Sequence, residues 1–169
     1  MFELRDAWAD DCEQISAIYG RSVLVEAASF EIEPPDAAEM ATRMASIQAG
    51  GYPYIVATEA ACVLGYAYAS AFRPRPAYRF TVENSVYVSP VAQRRGVART
   101  LLTAIIERCE TAGFHQMIAA IGGADNSASI ALHKSLGFHK AGQYRSVGYK
   151  FDRWHDVIIM QRALVPSAD

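Results

Sequence analysis

A strand-to-helix junction in the middle of the chain constrains its fold more than any other feature. Apolar residues from Thr81 to Val88 predict a strand that ends before Pro90. The helical spacing of the apolar residues that follow predicts an amphipathic helix from Gly96 to about Ala112. A short basic loop, Gln93-Arg94-Arg95-Gly96, joins the two elements. This arrangement places a turn and a helix N-terminus at the end of a strand.

The chemistry of this loop favours a phosphate-bearing ligand. A helix N-terminus presents backbone N–H groups without intrahelical partners, and these groups attract anions. We expect Gly96 to let the backbone lie against phosphate oxygens, because glycine has no Cβ. Arg94 and Arg95 add planar, permanently charged donors that suit phosphate. The loop therefore predicts a binding site for a pyrophosphate group.

The remaining segments predict a sheet flanked by helices. Helices are expected after Asp10-Asp11, which would cap the first of them, from Pro34-Pro35-Asp36 to Gln48, and from Asn126 to Leu136. Strands are expected at Tyr54–Ala57, Val63–Ala69, Met117–Ile121, Phe138–Tyr144 and Trp154–Arg162. This order implies one α/β (α+β) domain over residues 1–169, with a mixed sheet and helices packed against it.

Composition narrows the class of protein. The net charge of −2 argues against a nucleic-acid partner, which would favour a basic excess. No apolar run approaches the length of a membrane span, and the first residues lack a signal-peptide pattern. Three scattered cysteines, Cys12, Cys62 and Cys109, are typical of reduced thiols in a cytoplasmic protein. The histidines show no metal-ligand spacing, so no metal is expected.

A second group of polar residues follows the next predicted strand. Asn126, Ser129 and His133 are three and four residues apart, so a helix would place them along one stripe. Such a stripe is often a solvated face. Its position one βα unit after the basic loop instead favours a functional surface, in which His133 titrates near neutral pH.

The chain resembles the GCN5-related N-acetyltransferases. The resemblance rests on Gln-x-x-Gly-x-Ala at residues 93–98, and on Asn126 followed by Leu-His-Lys-Ser-Leu-Gly-Phe at residues 132–138. His133 stands where this family typically has tyrosine, which is similar to the phosphinothricin and methionine-sulfoximine N-acetyltransferase branch. The segments 81–90, 119–122, 148–150 and 154–157 also resemble that branch. The resemblance implies a mostly antiparallel sheet with helices on both faces and strands that separate at the cofactor cleft.

The resemblance also implies a set of residues that bind acetyl-coenzyme A as a cosubstrate. The diphosphate would lie on the basic loop, the pantetheine arm would lie between the separated strands, and a backbone N–H near Val88 would polarise the thioester carbonyl. The implied residues are Tyr87, Val88, Gln93, Arg94, Arg95, Gly96, Val97, Ala98, Arg99, Asn126 and Ser129.

Two residues are candidates for catalysis. An ammonium group must lose a proton before it attacks a thioester, so a base is needed. Glu83 matches the acidic position of the branch and is costly in an apolar strand unless it has a function. His133 is the second candidate, either as a proton carrier or as the acid that protonates the coenzyme A thiolate. The alternatives are a surface glutamate and a packed histidine.

The acceptor is expected to be an amino acid. Arg73, Arg75 and Tyr78 lie in a proline-rich loop before Glu83 and suit a carboxylate, and Phe30 is expected to form another wall. The predicted reaction is acetyl transfer to the α-amine of a small amino acid or analogue, by direct attack in a ternary complex. The branch resemblance implies a homodimer.

Other functions stay open. A protein N-terminus or a polyamine is a possible acceptor, although the basic loop disfavours a polyamine. A non-catalytic module that senses coenzyme A would need neither Glu83 nor His133. A nucleotide-binding protein would need a Gly-x-x-x-x-Gly-Lys loop, which the sequence lacks.

Overall fold

A computed structural model describes residues 1–123 and 126–164, and within them the chain forms seven strands and four α-helices. The strands are β1 Glu3–Asp6, β2 Tyr54–Glu59, β3 Cys62–Ala71, β4 Thr81–Val88, β5 Gln116–Gly122, β6 His139–Lys150 and β7 Arg153–Ala163. The helices are α1 Cys12–Val25, α2 Ala37–Ala49, α3 Val97–Thr111 and α4 Ser127–Ser135. Every predicted helix and strand is present within a few residues.

Three local expectations need correction. Strand β1 was not predicted, and β6 continues from Tyr144 to Lys150 through an irregular pairing with β7. The carboxylate of Asp11 does not cap α1. It accepts hydrogen bonds from the Arg5 guanidinium and from the backbone N–H of Trp8, and so it fastens β1 to the start of α1.

The strands form one sheet in the order β1-β2-β3-β4-β5-β7-β6. All neighbours are antiparallel except β4 and β5. These two pair in parallel only from Thr81↔Gln116 to Glu83↔Ile118, and then they separate. The predicted fold class, a mostly antiparallel sheet with a strand split, is therefore confirmed.

Hydrophobic residues bury both faces of the sheet. On one face, α3 contributes six residues with at most 3% exposure, and these are Val97, Leu101, Leu102, Ile105, Ile106 and Cys109. On the other face, α1 and α2 pack over β2 and β3 with Ile15, Met40, Met44 and Tyr66. Because successive strand residues point to opposite faces, Glu83 and Asn84 are directed to different sides of the sheet.

Within the described ranges, no helix has the length and apolar character needed to cross a membrane.

Candidate active site

A cleft of about 770 Å³ opens where β4 and β5 separate. It is bounded by the ends of both strands, the basic loop before α3, one side of α4, and the end of α1 with the loop that follows it. All but one of the predicted cofactor-binding residues line it, and these are Tyr87, Val88, Gln93, Arg94, Gly96, Val97, Ala98, Arg99, Asn126 and Ser129. The fold thus gathers residues from two sequence regions at one site.

The basic loop has the backbone geometry of an anion site. Arg94 and Gly96 both have left-handed backbones, with φ of 62° and 83°. The first turn of α3 closes with the Thr100 N–H on the Gly96 carbonyl, so three earlier N–H groups remain at the helix N-terminus. A Cβ on Gly96 would meet nothing within 4 Å, so the positive φ, rather than space in the cleft, favours glycine here.

The three arginines of this region have different surroundings. The Arg94 side chain lines the cleft. Arg95 is the one predicted cofactor-binding residue that does not, because its guanidinium donates to the Glu59 carboxylate at 2.8 and 3.0 Å. Arg99 donates to Ser135 Oγ at 2.7 Å and so links α3 to α4 beside the cleft. Arg94 is therefore the guanidinium best placed for a phosphate.

The backbone of β4 changes its pairing at the cleft. Its register with β3 continues to Val88, but its register with β5 ends at Glu83. Beyond that residue, the edge of β4 that faces β5 has no ladder partner in the part of the chain that the structure describes. An extended ligand that enters the cleft can therefore add hydrogen bonds to this edge, as an added strand does.

His133 lies buried on α4 with both ring nitrogens engaged by the protein. Its Nδ1–H donates to the Ser129 carbonyl at 2.8 Å, and its Nε2 lies 3.0 Å from Oδ1 of Asn84. The Asn84 amide nitrogen donates to the Ile118 carbonyl at 3.1 Å. Burial lowers the pKa of His133, whereas its bond to Ser129 opposes that shift.

Glu83 points to the face opposite His133, beside Ser70 of β3. It makes no side-chain hydrogen bond or ion pair with the described residues. Burial raises the pKa of its carboxyl group, because a charged carboxylate is poorly solvated there. A partly buried carboxylate without a partner can accept a proton from a ligand.

The predicted acceptor-binding residues lie near one another only in part. Arg73 stacks on the rings of Phe72 and Tyr78, with 5.0 and 5.6 Å from its guanidinium carbon to the ring centroids. Arg75 is exposed and has no side-chain partner among the described residues. Phe30 lies elsewhere, with its ring 6.1 Å from that of His155.

The loop that carries Phe30 is held by contacts that the sequence did not indicate. Buried Lys150 donates to the carbonyl oxygens of Glu26 and Ser29 at 2.9 and 2.6 Å. A Cβ on Gly148 would lie 2.5 Å from the Phe30 ring, so a larger residue at this position would displace that ring. These residues fix the loop against the β6–β7 hairpin.

Asn84 and Arg153 also contribute to the cleft and were not predicted. Asn84 had one available signal, since a polar residue in an apolar strand needs a buried partner. Arg153 gave no comparable signal.

Comparisons with known proteins agree with this geometry. The family model described as an acetyltransferase (GNAT) domain matches residues 4–159. The phosphinothricin N-acetyltransferase of Alcaligenes faecalis is 50% identical over 92% of this chain and 79% of its own length. The L-methionine sulfoximine/L-methionine sulfone acetyltransferase of Pseudomonas paraeruginosa is 42% identical over 97% of this chain and 95% of its own length.

A solved structure extends the comparison. A GNAT superfamily phosphinothricin acetyltransferase from Sinorhizobium meliloti, in complex with acetyl-coenzyme A, superimposes with a TM-score of 0.93 at 51% identity. The match covers 96% of this chain and 88% of that one. The chain belongs to the GNAT acetyltransferase family.

Proposed function

We propose that this chain transfers the acetyl group of acetyl-coenzyme A to the α-amine of a small amino acid or analogue, of the phosphinothricin, methionine sulfoximine or methionine sulfone type. The observation that carries the proposal is the position of Glu83. This partly buried carboxylate lies at the last paired position before the strands separate, next to a cleft that suits a long phosphorylated ligand. Residues 1–169 would act as one acetyltransferase domain.

The residues of the cleft fit coenzyme A at both of its ends. The left-handed backbone at Gly96 and the N-terminus of α3 would hold the diphosphate, with Arg94 as a charged donor. The unpaired edge of β4 would bind the extended arm, and the backbone near Val88 would face the acetyl group. Asn126 and Ser129 would bind from the side of α4. The cosubstrate itself supplies an activated acetyl thioester.

Glu83 would serve as the base. The raised pKa of its carboxyl group makes the ionised form of Glu83 a better proton acceptor than an exposed glutamate. It would take a proton from the ammonium of the acceptor, directly or through water. The neutral amine would then attack the thioester in a ternary complex, without an acyl-enzyme.

His133 would carry a proton on the other face of the sheet. Its neutral ring already donates from Nδ1 to Ser129, so an added proton would occupy Nε2 and form a hydrogen bond to Asn84 Oδ1. Asn84 would thereby stabilise the protonated ring. Protonation of the departing thiolate by His133 would require Nε2 to exchange Asn84 for the ligand.

The acceptor carboxylate would bind to the loop before β4. Arg75 offers an exposed guanidinium, and Arg73 and Tyr78 form a stacked pair that stiffens the loop. Phe30 would form a wall from the loop after α1.

The proposal is tested by supplying the purified chain with acetyl-coenzyme A and measuring free thiol. The acceptors would be twenty amino acids, phosphinothricin, methionine sulfone, spermidine and a peptide that begins with alanine. We expect thiol release with amino acids or their analogues. Release with only the peptide or spermidine would assign a different acceptor. Calorimetric binding of coenzyme A without any release would favour a sensing module.

We also propose a homodimer in the cytoplasm. The β6–β7 hairpin exposes large apolar side chains at the edge of the sheet, and these are Tyr144, Val147, Tyr149, Phe151 and Trp154. Light scattering of the wild type and of Trp154→Glu tests the dimer, which we expect the substitution to weaken. A wild type that stays monomeric at micromolar concentration would contradict it.

Free Cys12, Cys62 and Cys109 are consistent with a reducing compartment.

A further inference from the structure

A second cavity lies on the α1–α2 face of the sheet, separate from the cleft. It encloses about 440 Å³, and aromatic rings of Tyr19, Tyr54, Tyr66 and Tyr68 form much of its wall. The volume is large enough for the side chain of an amino acid. None of the functions assigned above uses this cavity.

Tyr66 has an unused polar group in this wall. The residue is fully buried, and its ring stacks between those of Tyr54 and Tyr87, with centroids 5.8 and 5.3 Å away. Its hydroxyl has no hydrogen-bond partner among the described residues. By contrast, Tyr19 bonds to Ser29 and Glu31 at 2.8 Å. A buried hydroxyl without a partner is unfavourable, and Tyr66 belongs to the wall of the cavity, so a ligand oxygen that reached this hydroxyl would gain a hydrogen bond.

The cavity adjoins the proposed base. Ser70 lines it and is the cross-strand partner of Glu83, and Tyr68 lines it and is the partner of Ser85. Side chains of cross-strand partners lie about 5 Å apart on one face of a sheet. An amino acid whose amine approaches Glu83 from this face therefore directs its own side chain toward the tyrosine wall.

The charges in the cavity favour an uncharged side chain. Arg43 is its cationic lining residue, but its guanidinium is shared between Glu31, at 2.7 and 3.3 Å, and Glu39, at 2.8 Å. With its charge balanced in this way, Arg43 offers little to an anionic side chain. The tyrosine rings, in contrast, suit an apolar stem or a sulfur atom.

We propose that Tyr66 determines acceptor specificity by donating a hydrogen bond to an uncharged oxygen on the acceptor side chain, as in a sulfone or sulfoxide. This inference rests on the proposed acetyl transfer to amino acids. It adds that a neutral, oxygenated side chain is preferred both to its oxygen-free counterpart and to an anionic one.

The test compares kcat/KM for L-methionine sulfone, L-methionine and phosphinothricin at saturating acetyl-coenzyme A. The wild type should favour the sulfone over both others. Tyr66→Phe should lower kcat/KM for the sulfone about tenfold, the usual effect of one hydrogen bond, and leave methionine unchanged. Tyr54→Phe removes a hydroxyl from the same wall and should leave the sulfone-to-methionine ratio as in the wild type.

Thermal unfolding without ligand gives an independent readout. Tyr66→Phe should melt no lower than the wild type, because it removes a hydroxyl for which residues 1–123 and 126–164 offer no partner. A lower Tm would show that the hydroxyl has a structural partner and would overturn the proposal. An unchanged sulfone-to-methionine ratio in Tyr66→Phe, or a wild type that prefers phosphinothricin, would also overturn it while leaving the acetyltransferase function intact. Absence of turnover with every amino acid would reject both.

Discussion

The imidazole of His133 on α4 and the side-chain amide of Asn84 on β4 meet where β4 and β5 separate, with 3.0 Å between Nε2 and Oδ1. The Ser129 carbonyl accepts a hydrogen bond from Nδ1–H of the ring, and the Asn84 side-chain nitrogen donates to the Ile118 carbonyl. The contact between Nε2 and Oδ1 is therefore a hydrogen bond only when the ring carries two protons. Burial favours the neutral ring, whereas the Asn84 oxygen beside Nε2 favours the protonated ring.

Two substitutions of Asn84 should move the pKa of His133 in opposite directions. Asn84→Asp places a carboxylate beside Nε2 and should raise that pKa, because a negative charge stabilises the imidazolium. Asn84→Ala removes the acceptor and should lower the pKa further. Titration of the ring by NMR measures both changes. Equal pKa values in the wild type and both variants would mean that Asn84 does not control the charge of His133.

The same burial predicts how stability depends on pH. The pKa of His133 in the folded chain lies below its ordinary value of 6.5, so the unfolded chain binds more protons between the two values. The contribution of His133 to the free energy of unfolding should therefore rise with pH through that window and level off above it. Urea unfolding of the wild type and of His133→Gln between pH 5 and pH 8 measures the difference. If the free energy of unfolding depended on pH equally in both proteins, His133 would not have a lowered pKa in the folded chain.

Arg94 and Arg95 are adjacent in sequence and should behave differently when substituted. Arg94→Ala should raise the KM for acetyl-coenzyme A about tenfold, the effect expected for one lost bond to a charged group. Arg95→Ala breaks a surface ion pair with Glu59, so KM should change less than about twofold and stability should change little. Steady-state kinetics with both substrates varied tests the pair. Equal effects would show that the phosphate site does not distinguish the two side chains.

The sequence predicted those parts of the fold that depend on local patterns. Helix α3 follows from apolar residues repeated at helical spacing, and the loop before it follows from one glycine among basic residues. Strand β1 has only four residues and a single apolar side chain, Leu4, so its pattern is too short to recognise. The predicted strand ended at Tyr144, whereas β6 continues to Lys150. The pairing of β6 with β7 is irregular between these residues, and Ser146 has a positive φ there.

Contacts in the site between residues far apart in the chain could not be predicted from the sequence. Ser129 and His133 lie on α4 and Asn126 caps it, so the local spacing of these three residues was sufficient to group them. The partners of Asn84, Ile118 and His133, are 34 and 49 residues away in the chain. Tyr66 and Tyr68 come to the same face as Glu83 through a cross-strand register that no local pattern specifies.

Glu83→Gln should separate catalysis from stability. If Glu83 is the base, the substitution should lower kcat by roughly 10²–10⁴. In the wild type, kcat should fall as the pH drops through the raised pKa of Glu83, because protonation removes the base. This acid limb should be absent from the residual activity of the variant. A near-wild-type rate would remove Glu83 from the mechanism.

Although Glu83→Gln should lower kcat, it should not lower the stability of the folded chain. Between the ordinary value of 4.5 and the raised pKa of the folded chain, the folded state binds more protons than the unfolded state. The wild type therefore loses stability as pH rises through that window, because its buried carboxylate becomes charged there. The glutamine variant should have a Tm at pH 7 equal to or above that of the wild type. A clearly lower Tm would indicate that Glu83 has a stabilising partner.

Arg75→Ala should discriminate among acceptors. If its exposed guanidinium binds the acceptor carboxylate, the variant should lose about tenfold or more in kcat/KM for amino acids but little for the corresponding amino-acid amides. Arg79→Ala is a matched control, because this arginine lies in the same loop and stacks on Phe80. A uniform loss for carboxylates and amides would assign Arg75 a structural role.

Lys150 should stabilise the loop after α1 rather than take part in the acetyl transfer. Its buried ammonium is a donor to two carbonyl groups, those of Glu26 and Ser29, and Lys150→Met would leave both without that bond. We expect a loss of roughly 1–3 kcal/mol in the free energy of unfolding, the cost of leaving the buried Ser29 carbonyl unpaired. The KM for the amino acid should also rise, because Phe30 follows directly after Ser29. Lys140→Met is the control, since the Lys140 ammonium bonds to Gln143 at the surface of the same strand. Urea unfolding and hydrogen exchange of the loop amides measure the two variants. Similar stability in both would mean that the hairpin does not hold the loop through Lys150.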